Sequence, residues 1–332
     1  MADEAEIQSF LTAAGWHDAS RRPLAGDASA RSYERLTRGA DRAVLMKAPD
    51  GAEIARFTRI GDWLAEAGFS TPQVLARDEA AGLLLLLEDF GDALAALHLD
   101  ATPENEPALY ALITEFLADL PRHAPPEDLP LLDGAALADL LDLVPEFYPC
   151  TDRSAADALQ KAIAKKFDTF PAWKPVLCLR DFHAENIILL DRPGLRRLGL
   201  LDYQDALRAH PAYDLVSALQ DARRDVSPQV ETAEIAHYCA LTKTDPTTFR
   251  LAYGLLGLQR ALRILGIFAR LTIRDGKPQY LEYMPRVYGY ISRNLADPAL
   301  ADLAELFHAA YPAPDPNLIA DLRQKCPTSP TP

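Results

Sequence analysis

Positive charge is what this 332-residue chain is short of: 34 Lys and Arg stand against 48 Asp and Glu, a formal charge of −14. A surface for nucleic acid or anionic lipid needs clustered cations, so neither partner is expected. Arg21-Arg22 and Arg223-Arg224 are clusters too small to change that. Cysteine is scarce as well. The four present (Cys150, Cys178, Cys239 and Cys326) are scattered and show no CxxC spacing. That excludes a cysteine zinc site and a disulfide framework, and it fits a reducing compartment. No uncharged apolar run reaches membrane-spanning length. The richest stretch, around 251–271, carries Arg260, Arg263 and Arg270 and reads as a core helix. Met1-Ala2-Asp3-Glu4 lacks the basic-then-apolar order of a secretion signal. A cytoplasmic protein without membrane insertion is the expectation. A Walker A sequence is also missing, which leaves a P-loop enzyme unsupported.

What is present is ordinary globular material, 49% hydrophobic and 25% charged, long enough for two domains or one bilobal unit. Helical spacing of Ile7, Phe10, Leu11 and Ala14 marks a first helix ending at Gly15. Two strand-like runs, 31–36 and 43–48, flank a turn and predict a hairpin. Ile54, Phe57, Ile60 and Leu64 predict an amphipathic helix over 52–67, stopped by Gly68. Two further strands are expected at 72–76 and 82–87. Beyond Gly91 the apolar stripes take helical spacing, with helical stretches expected around 212–224, 229–242, 246–273, 280–295 and 299–310.

The most informative stretch runs from Leu177 to Asp205: LCLRDFHAENIILL, a short connector, then LGLLDYQD. Asp181 ends one apolar run, Asn186 follows five residues later, and a turn at Arg192-Pro193-Gly194 leads to the run that delivers Asp202. Asp and Asn often do no more than cap turns. Three oxygen donors within 22 residues, each beside a β-type run, suit a phosphotransferase. Asp181 is placed to orient a substrate hydroxyl and accept its proton. Asn186 and Asp202 offer hard oxygen ligands to Mg²⁺ on the phosphates of ATP.

The order of elements is kinase-like: an α+β, bilobal plan with a small β-rich N-lobe (1–90), a hinge near 88–91, and a larger helical lobe (91–332) carrying the catalytic loop and acceptor pocket. Glu88 lies in the expected hinge, LLLLLEDFG, where backbone groups would pair with adenine. Gly26 and Ser29, in GDASAR before the first hairpin strand, suit a phosphate-approaching turn. Lys47, at the end of Ala43-Val44-Leu45-Met46, suits a lysine over the α- and β-phosphates. Its usual helix glutamate is missing: Phe57 holds that position, and Glu53, one turn earlier, is the nearest substitute.

Together these residues resemble the aminoglycoside phosphotransferase/choline kinase superfamily, whose fold is protein-kinase-like. The family's catalytic-loop pattern HGDxHxxN stands here as Leu179-Arg180-Asp181-Phe182-His183-Ala184-Glu185-Asn186, with Leu-Arg in place of His-Gly. The resemblance implies Asp181 as catalytic base, Asn186 and Asp202 as Mg²⁺ ligands, and His183 as a brace of the loop. Two stretches, GDASARSY at 26–33 and LGLLDYQDALRAHPAYDLVSALQDARRDV at 198–226, are similar to the bacterial kinases that phosphorylate the anomeric hydroxyl of N-acetylmuramate and N-acetylglucosamine in cell-wall recycling. An amino-sugar acceptor is therefore expected. An aminoglycoside, choline or homoserine-type hydroxyl is the alternative acceptor, and a non-catalytic pseudokinase the alternative class. Asp205 reads as a turn carboxylate or as a support of the metal site or a substrate hydroxyl, and Asp214 as an N-cap or a buried brace to the catalytic loop.

Overall fold

The computed structural model describes residues 2–24, 31–79 and 82–327. The expected sites Gly26 and Ser29 lie outside the described residues. In chain order the elements begin α1 (Glu4–Ala13), β1 (Ser20–Leu24), β2 (Ser32–Arg38), β3 (Asp41–Lys47), α2 (Gly51–Glu66), β4 (Val74–Arg77), β5 (Leu84–Glu88), α3 (Ala95–Ala101) and α4 (Glu106–Asp119). They continue α5 (Gly134–Asp139), α6 (Val144–Phe147), α7 (Arg153–Asp168), β6 (Val176–Cys178), β7 (Ile187–Leu189), β8 (Leu198–Leu200) and β9 (Leu207–Ala209). The last are α8 (Ala212–Leu219), α9 (Pro228–Thr242), α10 (Pro246–Ile273), α11 (Met284–Leu295), α12 (Ala301–Ala310) and α13 (Pro316–Gln324). β1, α3, α5, α6, β9 and α13 were not foreseen in the sequence. β1 (SRRPL) has no alternation to signal it, because its burial pattern is mostly exposed.

Two compact units divide the chain: Met1–Pro103 with Ala184–Ala206, and Glu104–His183 with Leu207–Pro332. Residues 184–206 thus pack with the first unit, whereas the sequence reading placed everything after 91 in the helical lobe.

The first unit holds an antiparallel sheet in the order β1-β2-β3-β5-β4. Leu36, Ala43, Leu45, Leu84 and Leu86 form one core with Ile7, Phe10, Leu11 and Trp16 of and beside α1. Since side chains alternate across a strand, Tyr33, Met46 and Leu85, which pair in register across β2, β3 and β5, occupy the opposite face. α1 starts on a capping box in which Asp3 and Glu6 satisfy each other's backbone N–H. α2 starts on Asp50, whose carboxylate accepts from the Glu53 N–H, and is followed by Gly68 at φ +92°, a conformation that favours glycine. β7 and β8 form a separate hairpin with Ile187 opposite Leu200.

The second unit is built on α10, 28 residues long and buried nearly all round. Among the described residues it is the one helix long and apolar enough to cross a membrane, but 72% of its most apolar stretch is buried in the structure. Of its arginines, Arg260 is buried at 6% exposure, Arg263 and Arg270 are half-buried, and Arg250 is exposed. β6 and β9 pair antiparallel, with Cys178 opposite Leu207, and α8 follows β9 directly with every residue buried. All four cysteines are free thiols.

Candidate active site

The loop after β6 is held by one carboxylate. Asp214, in the first turn of α8, accepts from the Leu179 N–H at 2.6 Å, the Arg180 N–H at 3.0 Å and the Cys178 thiol at 3.1 Å. Burial pushes its carboxyl up to about 6, against the pull of these three donors. Of the two readings left open for Asp214, the brace holds; the N-cap position of α8 is Pro211. A second tie closes the same turn: the Ser217 hydroxyl donates to the Arg180 carbonyl at 3.1 Å, and Arg260 donates to that hydroxyl at 2.7 Å.

These ties hold a strained backbone. Among the described residues only Arg180 (φ 71°), Asp202 (φ 56°) and Lys243 (φ 57°) are non-glycine residues at positive φ. Two of the three belong to the stretch singled out in the sequence, and such strain persists where surrounding structure over-determines it. Arg180 occupies the position of the family pattern's glycine, so the left-handed turn is kept here without the residue that normally permits it.

Asp181 follows that turn. Its side chain is 62% exposed, and Arg260 Nη2 stands 3.9 Å from Oδ1. Burial of its inner surroundings would raise the carboxyl, yet the nearby arginines, Arg260 first, hold it below the usual range. Exposure screens part of that field. His183, 5% exposed, lies 3.2 Å through Nε2 from Arg223 Nη1. Arginine can only donate, so Nε2 is the unprotonated nitrogen. Burial lowers the imidazole's pKa further than the Asp221 field raises it. The imidazole is thus held neutral against Arg223.

Asn186 and Asp202 belong to the first unit, at the open end of the β7–β8 hairpin. The Asn186 carbonyl accepts from the Leu201 N–H at 2.9 Å, which sets Asn186 beside the residue preceding Asp202. Asp202 Oδ1 accepts from Arg31 at 2.7 Å and from the Gln204 amide at 3.0 Å. Tyr203, 1% exposed, stacks on Phe57 with ring centroids 4.9 Å apart. A Cβ on Gly61, one turn further along α2, would come within 2.8 Å of the Tyr203 hydroxyl. Phe57 replaces a glutamate here because this face of α2 is an apolar seat for the residue after Asp202.

This donor set fits a hard divalent cation on a nucleotide. Asp202 contributes a carboxylate and Asn186 an amide oxygen, and the buried Gln204 Oε1 has no donor among the described residues. No group of three or more His, Cys, Asp and Glu residues forms a metal cluster among the described residues. A Mg²⁺ that shares its shell with phosphates and water does not need one.

The remaining expected sites lie elsewhere. Lys47 contacts Glu34 of β2, which also accepts from Arg21 at 2.6 Å. Arg21 contacts Glu4 of α1 as well, so the cluster ties α1 to its own face of the sheet. The cation beside Asp202 is Arg31, not Lys47. Arg31 also stands 3.8 Å from Glu53, the α2 carboxylate picked out as Lys47's nearest partner. The Glu88 carboxylate contacts Arg192, and its N–H bonds the Gln73 carbonyl at 2.8 Å, so this N–H belongs to the sheet. Next to it Asp89, 3% exposed, pairs with Arg35 at 2.7 Å. Glu34, Ser217 and Arg260 do not stand out for the site in the sequence, and Arg31 enters there only as the last residue of the Gly26–Arg31 loop expected to steady the triphosphate. Their only local signal is a charged or polar residue inside an apolar pattern.

The phosphotransferase enzyme family model matches residues 20–252. An N-acetylmuramate/N-acetylglucosamine kinase from Caulobacter vibrioides is 38% identical, the match covering 93% of this chain and 97% of that protein. A protein of the same name from Pseudomonas aeruginosa is 33% identical over 90% and 92%. Among solved structures, a choline kinase from Streptococcus pneumoniae superposes with a TM-score of 0.59 at 14% identity, covering 90% of this chain and 100% of that one. An aminoglycoside phosphotransferase from Streptomyces rimosus does so at 0.51 and 23%, covering 79% and 99%. At such identities the structural likeness shows the fold alone: α+β and protein-kinase-like, with a small antiparallel β lobe and a larger helical lobe. The strained loop, its buried brace and the family match over more than half of the chain agree, and this protein is a small-molecule kinase belonging to the phosphotransferase enzyme family.

Proposed function

We propose that the chain transfers the γ-phosphoryl group of ATP, with Mg²⁺, to the anomeric hydroxyl of N-acetylmuramate or N-acetylglucosamine. The observation that carries this reading is the 38% identity over 93% of the chain to a kinase of that name. It is supported by the retention of Asp181, Asn186 and Asp202 at the family's spacing. A cytoplasmic setting accords with four free thiols.

Phosphoryl transfer in this class needs positioning and charge stabilisation more than covalent chemistry. Asp181 holds the acceptor hydroxyl and takes its proton; its depressed pKa keeps it ionised. Asn186 and Asp202 hold the metal, which when bound neutralises charge on the transferring phosphoryl group. Asp214, Ser217 and Arg260 keep the Asp181 turn in its strained conformation.

ADP release from Mg-ATP should be measured with N-acetylmuramate, N-acetylglucosamine, an aminoglycoside and choline, with Asp181→Asn as control. Turnover on the two amino sugars alone, lost in the variant, is the expected result. Turnover only on another acceptor would keep the mechanism and discard the sugar. Nucleotide binding without turnover on any of the four would favour the pseudokinase reading.

A further inference from the structure

We infer that Arg31, and not Lys47, is the side chain that holds the phosphates of the nucleotide donor. The inference rests on the proposed reading of the chain as a nucleotide-dependent kinase and assigns a residue within it. Its basis is which face of the sheet each cation occupies. Lys47 shares a face with Leu45 and Ala43, in the core built with α1, and its ammonium is engaged by Glu34. Tyr33 pairs in register with Met46 on the other face.

Arg31 precedes Tyr33 by two residues and therefore lies on the same side. Its side chain is only 7% exposed and stands between two carboxylates, Asp202 at 2.7 Å and Glu53 at 3.8 Å. Glu53 is on α2, one turn before Phe57. A cation beside the sheet steadied by a carboxylate of the following helix is the arrangement expected of Lys47, and here Arg31 and Glu53 make it.

The chemistry suits the exchange. A guanidinium carries a permanent charge and five donors in a planar fork, which match phosphate oxygens two at a time. Glu53 keeps the fork placed while Oδ1 of Asp202 balances its charge. Once Asp202 is committed to a divalent cation, the guanidinium is left to the anion that arrives with that cation, the phosphate chain.

The test is calorimetric binding of ADP, in EDTA and in Mg²⁺ without acceptor, to the wild type, Arg31→Gln, Arg31→Lys and Lys47→Met, each with its melting temperature. Arg31→Gln is expected to weaken binding about 10- to 100-fold, the value of one or two charged hydrogen bonds. Arg31→Lys, which keeps the charge but loses the fork and guards against a folding artefact, should fall between. Lys47→Met should bind within about twofold of wild type, because its partner Glu34 still has Arg21. Binding that survives in both Arg31 variants, or is lost in Lys47→Met, would overturn the assignment. A wild type that binds no nucleotide in either buffer would instead remove the kinase reading on which it stands.

Discussion

The backbone N–H of Arg180, a residue at φ 71°, is held at 3.0 Å by the buried carboxylate of Asp214, 34 positions further along the chain. Asp214 also takes the Leu179 N–H and the Cys178 thiol, so one side chain meets three donors on successive residues. The turn that presents Asp181 is thus built from α8 rather than from its own sequence. An Asp214→Asn exchange swaps an accepting oxygen for an NH₂ that faces donors. Each donor orphaned this way should cost about 1–3 kcal/mol. Chemical denaturation should show that loss, and kcat should fall with it while nucleotide affinity is retained.

The same carboxylate predicts a pH dependence. Asp214 titrates near 3.8 when the chain is unfolded and near 6 when folded, because burial opposes its charge. Between those values the folded form binds more protons than the unfolded one. Its contribution to stability therefore falls as pH rises through that window, by roughly 3 kcal/mol in all, and is level above it. Unfolding free energies of wild type minus Asp214→Asn, measured from pH 4 to 7, should trace this slope. A difference that rises with pH would refute it.

Arg180→Gly separates strain from charge. A non-glycine residue in the left-handed region costs roughly 1–2 kcal/mol. Glycine removes that cost but returns about 0.5–1 kcal/mol of it through the greater entropy of the unfolded chain. The variant is therefore expected to be as stable as the wild type or up to about 1.5 kcal/mol more so. It also removes one of the positive charges that depress the Asp181 pKa. The acidic limb of the kcat/KM profile should accordingly move to higher pH, a change that backbone relief alone would not produce.

Gly61 and Tyr203 allow a double-mutant test of what holds Asp202. A Cβ on Gly61 would lie 2.8 Å from the Tyr203 hydroxyl, so Gly61→Ala must displace that ring. The expected cost is about 1–3 kcal/mol, with a fall in kcat as Asp202 moves. The Tyr203 hydroxyl is buried without a hydrogen-bond partner among the described residues, so Tyr203→Phe should be neutral or stabilising. The pair Gly61→Ala/Tyr203→Phe should recover most of the lost stability and rate. Additive losses would show that the two residues act separately.

Phe57→Ala should cost about 3–5 kcal/mol, since the ring is 5% exposed and stacks on Tyr203. Phe57→Glu should be no better, although it restores the family's residue. Lys47, the partner that glutamate would need, is committed to Glu34 on the α1 face of the sheet. Thermal melts of the two variants check both expectations together.

Much of this protein was readable in its sequence, because periodicity and spacing are local properties. Helical spacing located α1 and α2 within a residue or two, alternation located the β2–β3 hairpin, and the apolar runs around Asp181, Asn186 and Asp202 identified the motif. Local pattern could not say which face of the sheet carries Lys47. Strand parity sets two residues apart, but only the packing of α1 decides which side is core and which turns to Asp202. Nor could it pair Arg31 with Asp202, or Asp214 with Arg180. Those contacts join residues far apart in the chain, and their energies come from burial and charge that exist only once the chain has folded.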